Sequence, residues 1–180
     1  MQCHHGTTTH VQQAGLLLVP SPVEHLAQLM TWFRTHRACR QWGGPRFRFP
    51  FDARSFRADA RYDELPSYSL VRDSTGELLG FGQYYERGNL CHLARVAVCP
   101  LHRDRGIGAE LVVRLAATGC AELETRGCSL FVLADNPAAV RLYERLGFRP
   151  AVWPPDAPPL EGGIYMVREG TPSAGALCGC

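Results

Sequence analysis

Two glycines separated by one residue, with arginines just before them, stand between an apolar run and a helical pattern: Arg103-Asp104-Arg105-Gly106-Ile107-Gly108. Val96, Ala97 and Val98 precede this segment, closed by Pro100, which has no N–H to give to a sheet ladder. After Gly106 the apolar period changes, with Ile107, Leu111 and Leu115 recurring every fourth residue as one face of a helix. A strand, a glycine loop and a helix start together present unpaired main-chain N–H groups at the positive end of a helix dipole. That is a site for a pyrophosphate. The same glycines could instead serve only a tight turn and close packing.

Farther along, Asn136 is suited to cap a helix that opens on Pro137. Tyr143 follows after seven residues, about two turns, and so falls on the same helix face as Asn136. Gly147 ends that helix. Cys91–Val98 and Cys128–Leu133 read as buried strands and Gly127 as the C-cap of a helix from Gly106 to about Arg126.

Taken in order, Arg103-x-x-Gly106-x-Gly108 and Asn136-Pro-Ala-Ala-Val-Arg-Leu-Tyr143-Glu-Arg-Leu-Gly147-Phe148 resemble the two signatures of the GNAT superfamily of acyl-CoA N-acyltransferases. The resemblance is close over residues 67–150 and loose in the flanks. It implies an α/β (α+β) fold with a mixed, mainly antiparallel sheet of about six to seven strands and about four flanking helices. It also implies an N-acetyltransferase that moves an acetyl group from acetyl-CoA, with no metal, to a primary amine in a ternary complex. Under it Val96, Ala97 and Val98 hold the pantetheine arm, and Arg103, Asp104, Arg105, Gly106, Ile107, Gly108 and Ala109 cradle the pyrophosphate. Asn136 contacts the cofactor, and Tyr143 protonates the departing thiolate.

A phenol titrating near 10 serves as that donor only when held within hydrogen-bonding distance. Otherwise Tyr143 is a core aromatic with a satisfied hydroxyl. Asp104 departs from the pattern, since a carboxylate repels phosphates; its main chain still donates if its side chain points to solvent.

The resemblance puts a general base at His92, four residues ahead of the Val96–Val98 triplet, where an imidazole suits neutral pH. His92 as a substrate contact or a structural residue are the alternatives, and Tyr84, Tyr85 and Glu86 are outside candidates. A second family position for a base falls on Phe131, which closes that route. The acceptor pocket is expected between the first and second strands. There Arg34, Arg37, Arg40, Arg46, Arg48, Arg54, Arg57 and Arg61 face only Asp52 and Asp59, with Trp42, Phe47, Phe49 and Phe51 interleaved. Trp42, Arg46 and Tyr85 are its candidate lining. An anionic acceptor, a solvated helix face and the CoA ribose phosphate are three readings of those arginines. The acceptor is a small-molecule amine or a protein N-terminal amine, and a homodimer is compatible with either. A non-catalytic acyl-CoA sensor would keep the loop and dispense with Tyr143.

A chain of 180 residues, 46% of them apolar, is long enough for one core. The reading is one domain over 15–168, with disorder over 1–14 and a loose tail over 169–180. All 19 basic Lys+Arg positions are arginine, so lysine self-acetylation is excluded. A net charge of +2 argues for neither nucleic acid nor an anionic membrane. No run approaches the ~20 apolar residues of a membrane span, and no secretory leader is legible, so a cytoplasmic location is expected. The eight cysteines include no CxxC pair, and no metal site is expected. Cys3 with its neighbouring histidines, and Cys178 with Cys180, could take up metal only adventitiously.

The remaining elements are expected as a strand at Gly15–Val19, one helix from Ser21 to about Arg40, and a short helix over Ala53–Arg61. Strands follow at Ser67–Asp73 and Leu78–Glu86, then near Val152 and at Ile164–Val167, the last two separated by a proline-rich loop.

Overall fold

A computed structural model describes residues 15–170; the expectations for 1–14, for the terminal Cys and His groups and for 171–180 lie outside it. Seven strands form one sheet in the order β1-β2-β3-β4-β5-β7-β6. They are β1 (Leu16–Pro20), β2 (Ser67–Arg72), β3 (Leu78–Arg87), β4 (Leu90–Val98), β5 (Gly127–Leu133), β6 (Arg149–Pro150) and β7 (Gly163–Glu169). Only β4 and β5 run parallel, a pairing that requires a crossover, and the helix α4 (Ile107–Glu122) supplies it. This is the mixed, mainly antiparallel sheet expected.

Helices cover both faces. α4 and α5 (Pro137–Arg145) close one face over a core that includes Tyr84, Leu93, Leu115, Leu130 and Phe148. α1 (His25–Met30), α2 (His36–Gly43) and α3 (Ala53–Asp59) close the other, over Phe33, Trp42, Phe56 and Phe81. No helix among the described residues is long and apolar enough to cross a membrane.

Two short helices replace the single one expected from Ser21 to Arg40. The adjacent Trp32 and Phe33 are both buried, and the chain turns at them to achieve it. Thr35 then starts a new helix, its hydroxyl accepting the Ala38 N–H at 3.1 Å. α4 stops at Glu122 rather than near Arg126, and the left-handed residue beyond it is Glu124 at φ 54°. Gly127 is therefore no C-cap; it opens β5 where a Cβ would lie 2.9 Å from the Arg168 carbonyl oxygen. The strand expected near Val152 is β6 instead, and Val152 itself is 91% exposed.

Candidate active site: a forked sheet with a helix N-terminus on one side and a cationic cavity on the other

β4 begins as an ordinary central strand, pairing with β5 from Cys91 to Leu93. The pairing stops there, while β5 continues to Leu133, held on its other edge by β7 along its whole length. On its other side β4 carries a bulge: Phe81 faces Ala97 and Gln83 faces Ala94, so Gly82 opposes two residues, Arg95 and Val96. Arg95 takes the left-handed conformation at φ 48° to make it. A bulge adds twist and reverses which residues face which side of the sheet. Cys91 and Leu93 face α4 before it, and Val96 and Val98 face α4 after it. From Ala94 onward the β5 side of β4 is open, and Val96, Ala97 and Val98 lie along that open edge.

The chain leaves β4 through a 3-10 turn, Pro100–His102, into the glycine loop. Asp104 at φ 60° and Gly106 at φ 78° are both left-handed, which curls the main chain just before α4. Gly106 is the N-cap, and its carbonyl accepts from Ala109 and Glu110. Ile107 and Gly108 are thus the first helical N–H groups, without an acceptor inside the helix. The Asp104 side chain is exposed, as is that of Arg103. Gly108 also serves packing, because a Cβ there would meet Leu142 Cδ2 of α5 at 3.1 Å and that side chain would have to shift. A curled loop, a 16-residue helix dipole and an open strand edge together fit the acyl-CoA that the sequence implies.

Asn136 caps α5 as expected, its Oδ1 accepting the Ala139 N–H at 3.3 Å. Tyr143 is buried at 7% exposure, its ring edge-on to Phe148 at 5.9 Å. Among the described residues its hydroxyl has no hydrogen-bond partner, and burial pushes its pKa up to about 12. A core tyrosine kept only for packing normally satisfies that hydroxyl.

The opposite face holds a cavity of about 640 Å³ between α2, α3 and the fork. Trp42, Arg46, Tyr85 and His92 all line it. Trp42 is also a core residue, stacked on Phe33 at 4.3 Å, with Nε1 donating to the Arg95 carbonyl at 2.7 Å. His92 is buried at 2% exposure, with Nδ1 2.9 Å from Ser129 Oγ and its ring against Tyr85 and Phe131. Burial, with a smaller repulsion from Arg87, lowers its pKa to about 3. Tyr84 faces the other way, its hydroxyl donating to Glu122 at 2.5 Å, and neither it nor Glu86 lines the cavity.

Several arginines of the 34–61 segment are spoken for by carboxylates beyond Asp52 and Asp59. Arg57 pairs with Asp63, Arg61 with Glu64 and Arg37 with Asp135, while Arg48 grips Asp59. Two cavity arginines come from outside that segment, Arg87 and Arg95, and so do Trp153, Pro158, Pro159 and Leu160 of the proline-rich loop. Sequence reasoning missed these. The one available signal was the slip of the apolar positions from 91 and 93 to 96 and 98, which marks the bulge.

The Acetyltransferase (GNAT) family model matches residues 32–148. A mycothiol acetyltransferase of Mycobacterium sp. (strain JLS) is 37% identical over 100 residues, 51% of this chain and 32% of that protein. N-alpha-acetyltransferase 40 of Saccharomyces cerevisiae is 32% identical over 107 residues, 56% of this chain and 37% of that protein. The chain thus spans about a third of the length of the curated relatives it matches. Among solved structures, spermidine N-acetyltransferase of Vibrio cholerae, in complex with CoA and spermine, superposes with a TM-score of 0.66. It shows the same fold at 17% identity, over 88% of this chain and 97% of that one. By its matched core and its fold, this chain belongs to the acetyltransferase (GNAT) family.

Proposed function

We propose that residues 15–168 form one catalytic unit, a cytoplasmic N-acetyltransferase that uses acetyl-CoA and a primary amine. The observation that carries the reading is the fork: an open β4 edge flanked by a helix N-terminus on one face and a solvent-open cavity on the other. Two substrates can meet there from opposite sides of one sheet. The main-chain N–H groups from Arg103 to Ala109 bind the pyrophosphate, and Val96 to Val98 pair with the extended arm. When bound, acetyl-CoA supplies an activated thioester carbonyl. An N–H of the open edge donates to its oxygen as negative charge develops.

His92 serves as a contact for the amine rather than as a store for its proton. A ring neutral down to about pH 3 accepts a hydrogen bond but does not hold a proton at neutrality. In the tautomer whose Nδ1–H donates to Ser129 Oγ, Nε2 accepts an amine N–H and so turns the amine lone pair toward the thioester, and the proton released on attack leaves to solvent. Tyr143 keeps its own proton at neutral pH and donates it to the sulfur as the C–S bond breaks. Its unpartnered hydroxyl favours an enzyme over an acyl-CoA sensor, which has no use for a donor there.

Mycothiol, protein N-terminal and spermidine acetyltransferases among the similar proteins support an amine acceptor. The test is release of free CoA thiol from acetyl-CoA on addition of an amine panel. Release that depends on both the amine and Tyr143 supports the reading, and amine-independent hydrolysis or none contradicts it.

A further inference from the structure

The acceptor cavity is unbalanced in charge. Arg40, Arg46, Arg61, Arg87 and Arg95 line it, against a single carboxylate, Asp59. Asp59 is committed elsewhere, accepting from Arg48 Nε and Nη2 at 2.7–3.1 Å. Arg95 has no carboxylate partner: Nη1 donates to Gln83 Oε1 and Nη2 to the Asp59 carbonyl, each at 3.0 Å. Its Nε is buried and unpartnered. Arg87 also has a buried, unpartnered Nε, although Nη1 reaches the exposed Asp156 at 2.6 Å. Its guanidinium lies 5.4 Å from the Phe131 ring centroid and 5.7 Å from that of Tyr85.

Removing a guanidinium from water costs several kcal/mol unless an anion and hydrogen bonds replace the water. Arg95 is hydrogen-bonded to two neutral oxygens and to no carboxylate, with Asp59 and Glu64 acting on it only through space. A sealed Nε is as closed to a ligand as to water, so a carboxylate in the cavity meets the second N–H of Nη1 and of Nη2 instead. Arg61 is paired with Glu64 and Arg87 with Asp156, which leaves Arg40, Arg46 and Arg95 to oppose a polyamine, and Asp59 is already taken by Arg48.

We propose that the acceptor is a small amine that also carries a carboxylate, as an amino acid does, and that Arg95 and Arg87 hold this carboxylate in the cavity. The proposal rests on the acetyltransferase reading and specifies its second substrate. Tyr85, whose hydroxyl is 3.5 Å from Arg87 Nη2, stands across the ladder from His92. An amine held through its carboxylate beside Tyr85 therefore comes within the part of the cavity that His92 lines.

Isothermal titration of the CoA-saturated protein with the L-amino acids, their carboxamides and an aliphatic diamine tests this without depending on turnover. The expected result is that an amino acid binds on the order of 10–100-fold more tightly than its carboxamide, and that the diamine binds weakest. Arg87→Gln and Arg95→Gln each abolish that preference. Should Arg95→Gln fail to fold by its melting curve, Arg87→Gln carries the test alone. Equal binding of acid and amide, no binding by any amino acid, or preference for the diamine would each overturn the proposal. Thiol release from acetyl-CoA with any other amine, measured alongside, would leave the enzyme assignment standing in those cases.

Discussion

Trp42 holds the bulge of the central strand by its main chain: the indole N–H donates to the Arg95 carbonyl across 2.7 Å. Arg95 sits at φ 48°, a conformation that costs a branched-chain-free L residue of order 1 kcal/mol or more. The indole itself is fixed by stacking on Phe33 and, at 5.2 Å, on Phe56. A helix of the acceptor side is therefore tied to the residue at which the sheet opens. Trp42→Phe keeps the stacking and leaves that carbonyl unpaired, at a cost of about 1–3 kcal/mol. The expected outcome is a melting temperature several degrees lower and a raised KM for the amine, with the affinity for acetyl-CoA retained. Melting curves and steady-state kinetics check it.

Tyr143→Phe removes a hydroxyl that has no partner in the protein, so the fold should hardly notice it. Turnover should fall by roughly 10²–10⁴-fold, the usual worth of a positioned proton donor. Binding of acetyl-CoA should persist. A variant with full turnover would show that Tyr143 is a packing residue.

His92 makes stability sensitive to acid. Its folded pKa, about 3, lies below the ~6.5 of an unfolded histidine, so the unfolded chain binds the extra proton first. The stabilisation from keeping it neutral is fully present above about pH 6.5. Below that it is lost at up to ~1.4 kcal/mol per pH unit until the folded pKa is reached. Melting curves between pH 7 and 4 should fall more steeply for the native protein than for His92→Asn. Parallel curves would mean that the ring is protonated without penalty.

Gly106 and Gly76 both adopt positive φ, 78° and 69°, but only Gly106 belongs to the loop before α4. Alanine at either position carries about 1 kcal/mol of backbone strain. Gly106→Ala should weaken acetyl-CoA binding several-fold, and Gly76→Ala, in the β2–β3 turn with open space around it, should not. Calorimetric titration of the two variants separates loop geometry from general destabilisation.

Much of the acyl-CoA side was legible because its signals are local. The change of apolar period at Gly106, the Asn136 cap and Pro137 each announce themselves within a few residues. The acceptor side is assembled from distant segments, and its signals are correspondingly faint. Nothing near Arg87 or Pro158 says that a cavity will form between them, since that depends on β4 diverging from β5 beyond Leu93. The break between α1 and α2 was hidden too, because burying both Trp32 and Phe33 overrides a helical pattern that looks continuous. His92 illustrates a third limit: its position was apparent, but its role follows from a burial no spacing reveals.

The fork is the centre of the account, and calorimetric titration of the purified protein with acetyl-CoA, followed by thiol release against an amine panel, tests it most directly. The account predicts one binding site per chain, and release of thiol only when an amine is present. Failure to bind acetyl-CoA would contradict it at its root, because the curled loop at Gly106 and the open edge from Ala94 to Val98 would then hold nothing.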